Sequence, residues 1–400
     1  MSLVIYKKQF DNAYQEVFQK ALVAKEVMNS RFEPVLKFGA SIERVAFDIS
    51  GVRVRTVTRG AASTIDAITD TSDLLTVNIE KEAVFYISDG EATQTGPLNP
   101  GEEIGKQVGI KVAIDLDARC FAEVLNAGFA FDNGDLTGTT STGTPITLSA
   151  TTVPQMTSRM GAKLRFRNNQ EVMTNMVLVV DSYAASDITQ YLLGKNIDLA
   201  GYVFKNGYTG DISNAQMYIS ENLTGTATLV YTGNTVNTET VTIGGVVFTA
   251  VTTIGATPGN VLASAADSTT FITNVAALIN APGTTTANGV ALSAANQLII
   301  QDVLKLTATA TSSTVLTIVG TGSGRLILAE GQTNATWATN FISAYFGKKG
   351  AIDLVIQDLS PVDMRITTDR RGTNVFSSYL AGIKTFSDGA KKFLNVKIAA

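Results

Sequence analysis

GEEIGKQVGIKVAIDLDARCFAEVLNAG, residues Gly101 to Gly128, is the stretch on which the fold turns. It carries Ile104, Val108, Val112, Leu116, Cys120 and Val124 at four-residue spacing, with Glu102 and Glu103 at its start. Side chains four apart share one face of a helix, and acidic residues in the first turn complement the positive end of its dipole. The spacing therefore predicts one long helix over residues 102–128, preceded by the turn-rich Thr95-Gly96-Pro97-Leu98-Asn99-Pro100-Gly101. At ~1.5 Å per residue such a helix spans roughly 35 to 40 Å, enough to form the backbone of a flat domain. Cys120, on the apolar stripe, reads as a small buried hydrophobe and not as a nucleophile. Gly101-Glu102-Glu103-Ile104-Gly105-Lys106 has a superficial look of a phosphate loop. One residue is missing between the glycines, however, and Gln107 stands where a magnesium-binding hydroxyl belongs, so it is a helix start.

N-terminal to this helix, Phe10, Tyr14, Val17, Phe18 and Leu22 have helical spacing, and residues 32–50 follow as an extended arm with no compact core of its own. Val52 and Val54 alternate with Arg53 and Arg55; after a polar stretch from Gly60 to Asp73, Leu75, Val77 and Ile79 alternate with Thr76, Asn78 and Glu80. This predicts a long two-stranded hairpin with arms near 52–55 and 75–80. An isolated hairpin is marginal in water, so one this long is expected to lie against something else, another copy of the chain being the candidate. Arg53, Arg55 and Arg59, with Glu80 and Glu82 on the return strand, are candidates for contacts between subunits; pairing within their own hairpin is the competing reading.

C-terminal to the helix, residues 131–149 are loop-like. Asp132-Asn133-Gly134-Asp135 lacks the alternating ligands and distal Glu of a calcium loop and reads as a solvent-exposed turn. Residues 151–168 are helix and connection, Met176 to Val180 is a continuous apolar run expected as a buried strand, and Asp181-Ser182-Tyr183 opens a second helix through Ile188, Tyr191 and Leu192. An α/β arrangement follows, with Gln216 to Ile219 as a further short strand.

Between Thr224 and Thr333 charge nearly disappears: Glu239, Asp267, Asp302, Lys305, Arg325 and Glu330 are its only charged residues, and threonine recurs at roughly every fourth position. Ordinary composition on both sides implies a compact module inserted into a host domain. Its signals are mostly β. Val241, Ile243, Val246 and Phe248 flank a Gly244-Gly245 hairpin turn, and Leu298 to Ile300, Leu304 to Ala308 and Val315 to Val319 are expected strands. One helix, with Phe271, Val275, Leu278 and Ile279 on its apolar face and Asp267 as cap, interrupts them. Beyond Trp337 come expected strands at Leu354 to Ile356, Phe376 to Ile383 and Phe393 to Ile398.

Composition narrows the function. Four hundred residues with 45% apolar content imply two or three folded units. A net charge of −4 gives no overall electrostatic argument for nucleic acid or anionic membrane. One cysteine cannot form an intrachain disulfide, and no apolar run approaches the ~20 residues of a membrane helix. The absence of histidine removes the commonest general base and zinc ligand, so no catalytic residue, cofactor or metal site is assigned.

The order of elements resembles a known family. The arm, a hairpin from Gly51, the long helix from Glu102, the α/β region around Met176 to Val180, Gln216-Met217-Tyr218-Ile219-Ser220-Glu221-Asn222-Leu223, then Tyr379-Leu380-Ala381-Gly382-Ile383-Lys384-Thr385 and Ser387-Asp388-Gly389-Ala390 before a last strand are similar to major capsid proteins of tailed bacteriophages. Thr58 to Glu82, with Asp66-Ala67-Ile68-Thr69-Asp70, resembles the hairpin loop of the P22-like branch, which accommodates an insertion domain. The resemblance covers roughly residues 1–223 and 334–400. It implies an α+β, HK97-like capsid fold plus a mostly β insertion domain: an N-terminal arm (1–50), an extended hairpin loop (51–95), a peripheral domain (96–150 and 361–400), an axial domain (151–223 and 334–360) and the Thr-rich insertion (224–333). It implies pentamers and hexamers in a shell, a separate scaffolding protein, a portal protein and packaged double-stranded DNA on the inner face, with no membrane; a decoration protein is a further partner it allows. Nothing local marks a crosslinking site. Arg370 and Arg371 join the candidates for intersubunit contact, and Lys348-Lys349-Gly350 is a basic run that could face DNA or solvent. The competing reading is another virion or surface protein, a tail tube subunit or an adhesin with a Thr-rich binding module. An adhesin should carry that module at a free end, whereas here it is nested.

Overall fold

The computed structural model describes residues 10, 12–14, 22–34, 36, 40–48, 52–56, 59–60, 65–66, 68–88, 100–138, 140–167, 174–193, 208–212, 215–263, 268–366 and 372–400. Its helices are α1 (Val23–Val27), α2 (Pro100–Ala122), α3 (Thr152–Arg167), α4 (Ser182–Leu193), α5 (Thr269–Asn280) and α6 (Ala294–Leu298). The strands before the island are β1 (Ser41–Asp48), β2 (Thr69–Thr76), β3 (Ile79–Ser88), β4 (Phe129–Phe131), β5 (Met176–Val180), β6 (Tyr208–Ile212) and β7 (Ala215–Ile219). The island supplies β8 (Thr224–Tyr231), β9 (Thr240–Ile243), β10 (Val246–Val251), β11 (Asn260–Leu262), β12 (Leu306–Ser312), β13 (Val315–Gly320) and β14 (Leu328–Gly331). After it come β15 (Ala335–Lys348), β16 (Asp353–Ile366), β17 (Gly372–Lys384) and β18 (Phe393–Ala399).

The chain divides into two compact units, and the division falls inside α2, after Val112. One unit contains residues 1–20, 28–112 and 350–392. It holds the antiparallel sheet β16-β17-β3 and the antiparallel pair β1-β2. The hairpin differs from the one its alternation predicts: β2 pairs with residues 41–48, from Ser41↔Thr76 to Asp48↔Thr69, and residues 52–56 belong to no strand. The reason is burial. With this register Leu75 is fully enclosed beside Leu36, Val355 and Phe386, with Phe32, Ile42 and Val77 around them, whereas Val52 and Val54 stay in solvent. The described part of the expected arm is thus part of a core.

In the same unit the start of α2 departs from its predicted stripe. Ile104 and Val108 are half-buried, and Gly105 and Gly109 take the enclosed positions. A Cβ at Gly105 would stand 2.8 Å from the Phe10 carbonyl oxygen, and one at Gly109 would stand 2.9 Å from that of Tyr14. The glycines serve backbone approach between helical segments.

The other unit contains residues 21–27, 113–349 and 393–400. Its organising strand is β15, fully buried from Phe341 to Gly347. One edge carries β8 (Tyr231↔Ala335 to Thr224↔Ser343) and then β5 (Val179↔Tyr345 to Met176↔Lys348); the opposite edge carries β18. From there the sheet runs outward as β8-β13-β12 on the island side and β5-β7-β6 on the host side. β5 and β7 are parallel, the α/β crossover implied by the apolar run before Asp181. Asp181 caps α4, its Oδ1 accepting from the Ala184 backbone N–H at 3.1 Å.

The island therefore shares a sheet with its host, although its apolar core is its own. Phe248, Phe271, Ile279, Leu316 and Ile318 pack with residues drawn almost entirely from 227–326. The Gly244-Gly245 turn appears as predicted, with φ of 58° and 84°, the left-handed pair that a two-residue hairpin requires. Residues 298–300 are not a strand: Ser293 Oγ accepts from the Asn296 backbone N–H and starts α6, which continues as a π-turn over Ile299–Val303. A side-chain cap so close upstream favours helix over the β propensity of two isoleucines. The Asp267 cap lies outside the described residues; Ser268 stands at that end of α5.

Candidate assembly surface and charged network

The loop between β1 and β2 carries three of the seven predicted contact residues, Arg53, Arg55 and Arg59. The Arg53 backbone N–H donates to Asp66 Oδ2 at 2.9 Å, and Arg55 Nη2 donates to Asp66 Oδ1 at 2.5 Å. The two converge on one carboxylate across the loop, and Arg59 is exposed in a turn beside Gly60, whose φ is 84°. Glu80 and Glu82 sit apart from this cluster, exposed on β3 opposite Leu380 and Ser378. Arg370 and Arg371 lie outside the described residues. Around these charges apolar side chains face solvent. Val54 and Ile65 are 104% and 92% exposed, and Val45, Leu74 and Ile68 are at least half as open as in an extended chain or nearly so.

Beneath the loop an ionic frame secures β1 and β2, and no sequence spacing announced it. Arg44 Nη2 donates to Asp388 Oδ2 at 2.6 Å, Lys392 reaches the same oxygen at 3.3 Å, and Lys384 pairs with Asp73 Oδ1 at 3.2 Å. Burial works to raise the Asp388 carboxyl, but the Lys392 and Arg44 charges outweigh it and hold its pKa below the ordinary value. Asp353 is the opposite case. Enclosed at 2% exposure, it accepts from Asn29 Nδ2 at 2.5 Å and has Arg31 Nε at 3.6 Å, yet burial prevails and its pKa is raised.

In the second unit, Asp132 and Asp135 correct the expectation of a solvent-exposed turn: both are buried. Asp132 accepts from the backbone N–H groups of Gly134, Thr142 and Gly143 at 3.0, 3.0 and 2.6 Å. Asp135 Oδ2 pairs with Lys163 Nζ at 2.6 Å, and that ammonium also donates to the Ala130 carbonyl and Ser141 Oγ. These contacts fold the loop onto α3. Beside them an open cavity of about 240 Å³ is lined by Asp135, Gly138, Arg159, Ala162, Lys163 and Phe166.

Two further carboxylates tie segments together. Asp117 on α2, 1% exposed, caps α1 by accepting from the backbone N–H groups of Val23 (3.1 Å) and Ala24 (2.9 Å); burial pushes its pKa up to about 6 against those bonds and one from Asn222. Burial likewise pushes up the Cys120 thiol, which is fully enclosed as its place on the stripe predicts. On the island, Lys305 pairs with Asp115 of α2, and Gly322 leaves no room for a side chain against Ala118. Of the basic run, Lys349 lies 3.7 Å from Glu26. Among the described residues no group of three or more Cys, Asp or Glu is placed to hold a metal ion, and no helix is long and apolar enough to cross a membrane.

No protein-family model matches the chain, and no curated protein matches it. Solved structures do. A chain from Mycobacterium phage Che8 aligns over 93% of this chain and 90% of its own, at 12% identity and a TM-score of 0.46. The capsid structure of cyanophage P-SCSP1u aligns over 94% and 85%, at 10% identity and a TM-score of 0.43. The mature capsid of bacteriophage PhiM1 aligns over 90% and 82%, at 10% identity and a TM-score of 0.43. Over at least nine-tenths of its length, this chain is similar to chains in phage capsid structures.

Proposed function

We propose that this chain is the major capsid protein of a tailed bacteriophage, with an HK97-like fold, many copies of which form pentamers and hexamers in an icosahedral shell around double-stranded DNA. The observation that carries this reading is the β1–β2 loop, where Val54 and Ile65 stand almost wholly in solvent among Arg53, Arg55 and Arg59. Apolar groups exposed together on one loop mark a surface that another chain covers. Half-exposed ion pairs, Arg44 and Lys392 with Asp388 and Lys384 with Asp73, tie β1 and β2 to the C-terminal segment of the same unit. The outer strand β3 adds a second uncovered row, Glu80, Glu82, Val84 and Tyr86 on one face.

In this reading residues 51–95 are the extended loop, residues 1–50 the arm, and the Thr-rich stretch 224–333 an accessory insertion in the axial domain. The role is structural, with no reaction assigned to the chain. A separate scaffolding protein and a portal protein are the partners such a shell needs, synthesis takes place in the host bacterial cytoplasm, and the mature location is the virion. Nesting of the island between β7 and β15 argues for the capsid reading over an adhesin, whose binding module belongs at a free end. Electron microscopy of the recombinant chain, alone and co-expressed with its neighbouring genes, tests the proposal. Closed shells are expected; persistent monomers under both conditions would overturn it.

A further inference from the structure

Glu239 is the one acid of the Thr-rich island that the described structure encloses, at 9% exposure. Its carboxylate joins the turn before β9 to the segment before β15. Oε2 accepts from the Val236 backbone N–H at 2.8 Å, and Oε1 accepts from that of Thr333 at 2.8 Å. Burial works to raise its pKa, but the bonds from Thr333 and Val236 outweigh it and hold the value below the ordinary one, so the group is charged at neutral pH. Among the described residues no Lys or Arg pairs with it. The island's two cations are committed elsewhere, Lys305 to Asp115 and Arg325 to Asp181.

Three neutral side chains near this carboxylate carry buried polar atoms with no hydrogen-bond partner among the described residues: the Tyr231 hydroxyl, Thr235 Oγ1, and both Oε1 and Nε2 of Gln332. Tyr231 and Thr235 are each 3% exposed. The Tyr231 ring packs edge-on to Phe271, and its hydroxyl sits beside Thr235 and Gln332 without the geometry of a full hydrogen bond to either. Burial, and to a smaller degree the nearby Glu239 charge, raises the Tyr231 pKa. Buried polar groups left unpaired cost stability, and a buried charge is ordinarily paired or bound to a metal ion. Thr238, next to Glu239, has a φ of 74°, which a β-branched residue adopts only where its surroundings impose it.

We infer that Glu239, Gln332, Thr235 and Tyr231 form a calcium site that fastens the turn of residues 232–239 to the segment entering β15. The donor set is one carboxylate, one amide oxygen and two hydroxyl oxygens. With no thiolate or imidazole in it, the set suits a hard cation and not zinc or copper. Calcium takes about 6–8 oxygen ligands in loose geometry, neutral oxygens and waters among them, whereas magnesium demands a near-ideal octahedron. The turn that covers Glu239 is itself exposed at Asn234, Val236, Asn237 and Thr238, so an ion needs only this turn to open. A single carboxylate places the affinity in the weak class, with a Kd of about 0.1–1 mM.

The test is calorimetric titration of the full chain, stripped with EDTA, with calcium chloride and separately with magnesium chloride. One calcium per chain is expected, with a Kd of about 0.1–1 mM and weaker binding of magnesium. Glu239→Gln keeps an oxygen for the backbone N–H groups but removes the charge, and should abolish calcium binding. Thr235→Val removes one neutral ligand at nearly constant volume; it should weaken binding without abolishing it, and guards against a misfolded Glu239 variant. Calcium should also slow protease cleavage in the turn of residues 232–238 in the wild-type chain and not in Glu239→Gln. No calcium binding by the wild-type chain, wild-type affinity in either variant, or magnesium bound as tightly as calcium would each overturn the inference.

Discussion

Arg325 Nε lies 2.5 Å from Asp181 Oδ2, and Nη1 of the same guanidinium donates to the Ala399 carbonyl at 3.1 Å. One side chain from the charge-poor island thus meets the cap of α4 and the last strand of the host. Asp181 is 1% exposed, so removing its partner leaves a charge stranded in the interior. Arg325→Ala should cost about 3 kcal/mol, and the double variant with Asp181→Asn less than the sum of the two single changes, as measured by urea denaturation.

Asp117 gives stability a pH dependence. Its pKa is about 6 in the folded chain and near 3.8 when exposed, so between those values the folded state binds more protons than the unfolded state. Stability must then fall as pH rises from about 4 to about 6, and level off above. Asp117→Asn should remove this contribution, on the order of 3 kcal/mol across the window. Denaturation midpoints of the two proteins at pH 4, 5, 6 and 7 test it, and parallel curves would refute the assignment.

Two helical glycines should respond oppositely to alanine. At Gly105 a Cβ would stand 2.8 Å from the Phe10 carbonyl oxygen, so Gly105→Ala should destabilise by about 1–3 kcal/mol and open the N-terminal segment to protease. At Gly161 on α3 nothing lies within 4 Å, and alanine should stabilise by roughly 0.5–1 kcal/mol through helix propensity. Thermal melts of the pair distinguish close packing from propensity.

Val54→Asp combined with Ile65→Asp should leave the thermal midpoint of the isolated chain unchanged, since both side chains are already in water. The same change should prevent closed shells, because a charge buried against a neighbour has no compensating partner. Normal particles from that variant would remove the loop from the assembly surface.

Residues 152–167, 176–180, 240–251 and 393–399, and the long helix as far as Ala122, where a 3-10 turn over Glu123–Asn126 replaces its expected last turns, were legible because each has local periodicity or turn chemistry that one short segment completes by itself. The whole of β15 was not legible. From Phe341 to Gly347 it is buried on both faces and has no alternation to detect, and Ala335 to Lys348 mixes small, polar and aromatic residues along its three neighbours. The contact candidates were read unevenly for the same reason: Arg53 and Arg55 could be seen as charged, but Asp66 as their common partner could not.

The sequence by itself determined the long helix, the nested position of the threonine-rich island and the lack of histidine chemistry, all properties of neighbouring residues or of composition. Only the tertiary structure decided that the island's strands continue the host sheet, that Leu75 pairs back to the 41–48 segment, and that Gly105 and Gly109 accept a second backbone. Those outcomes depend on which distant surfaces exclude water together, and that free energy belongs to pairs of segments that no local window contains.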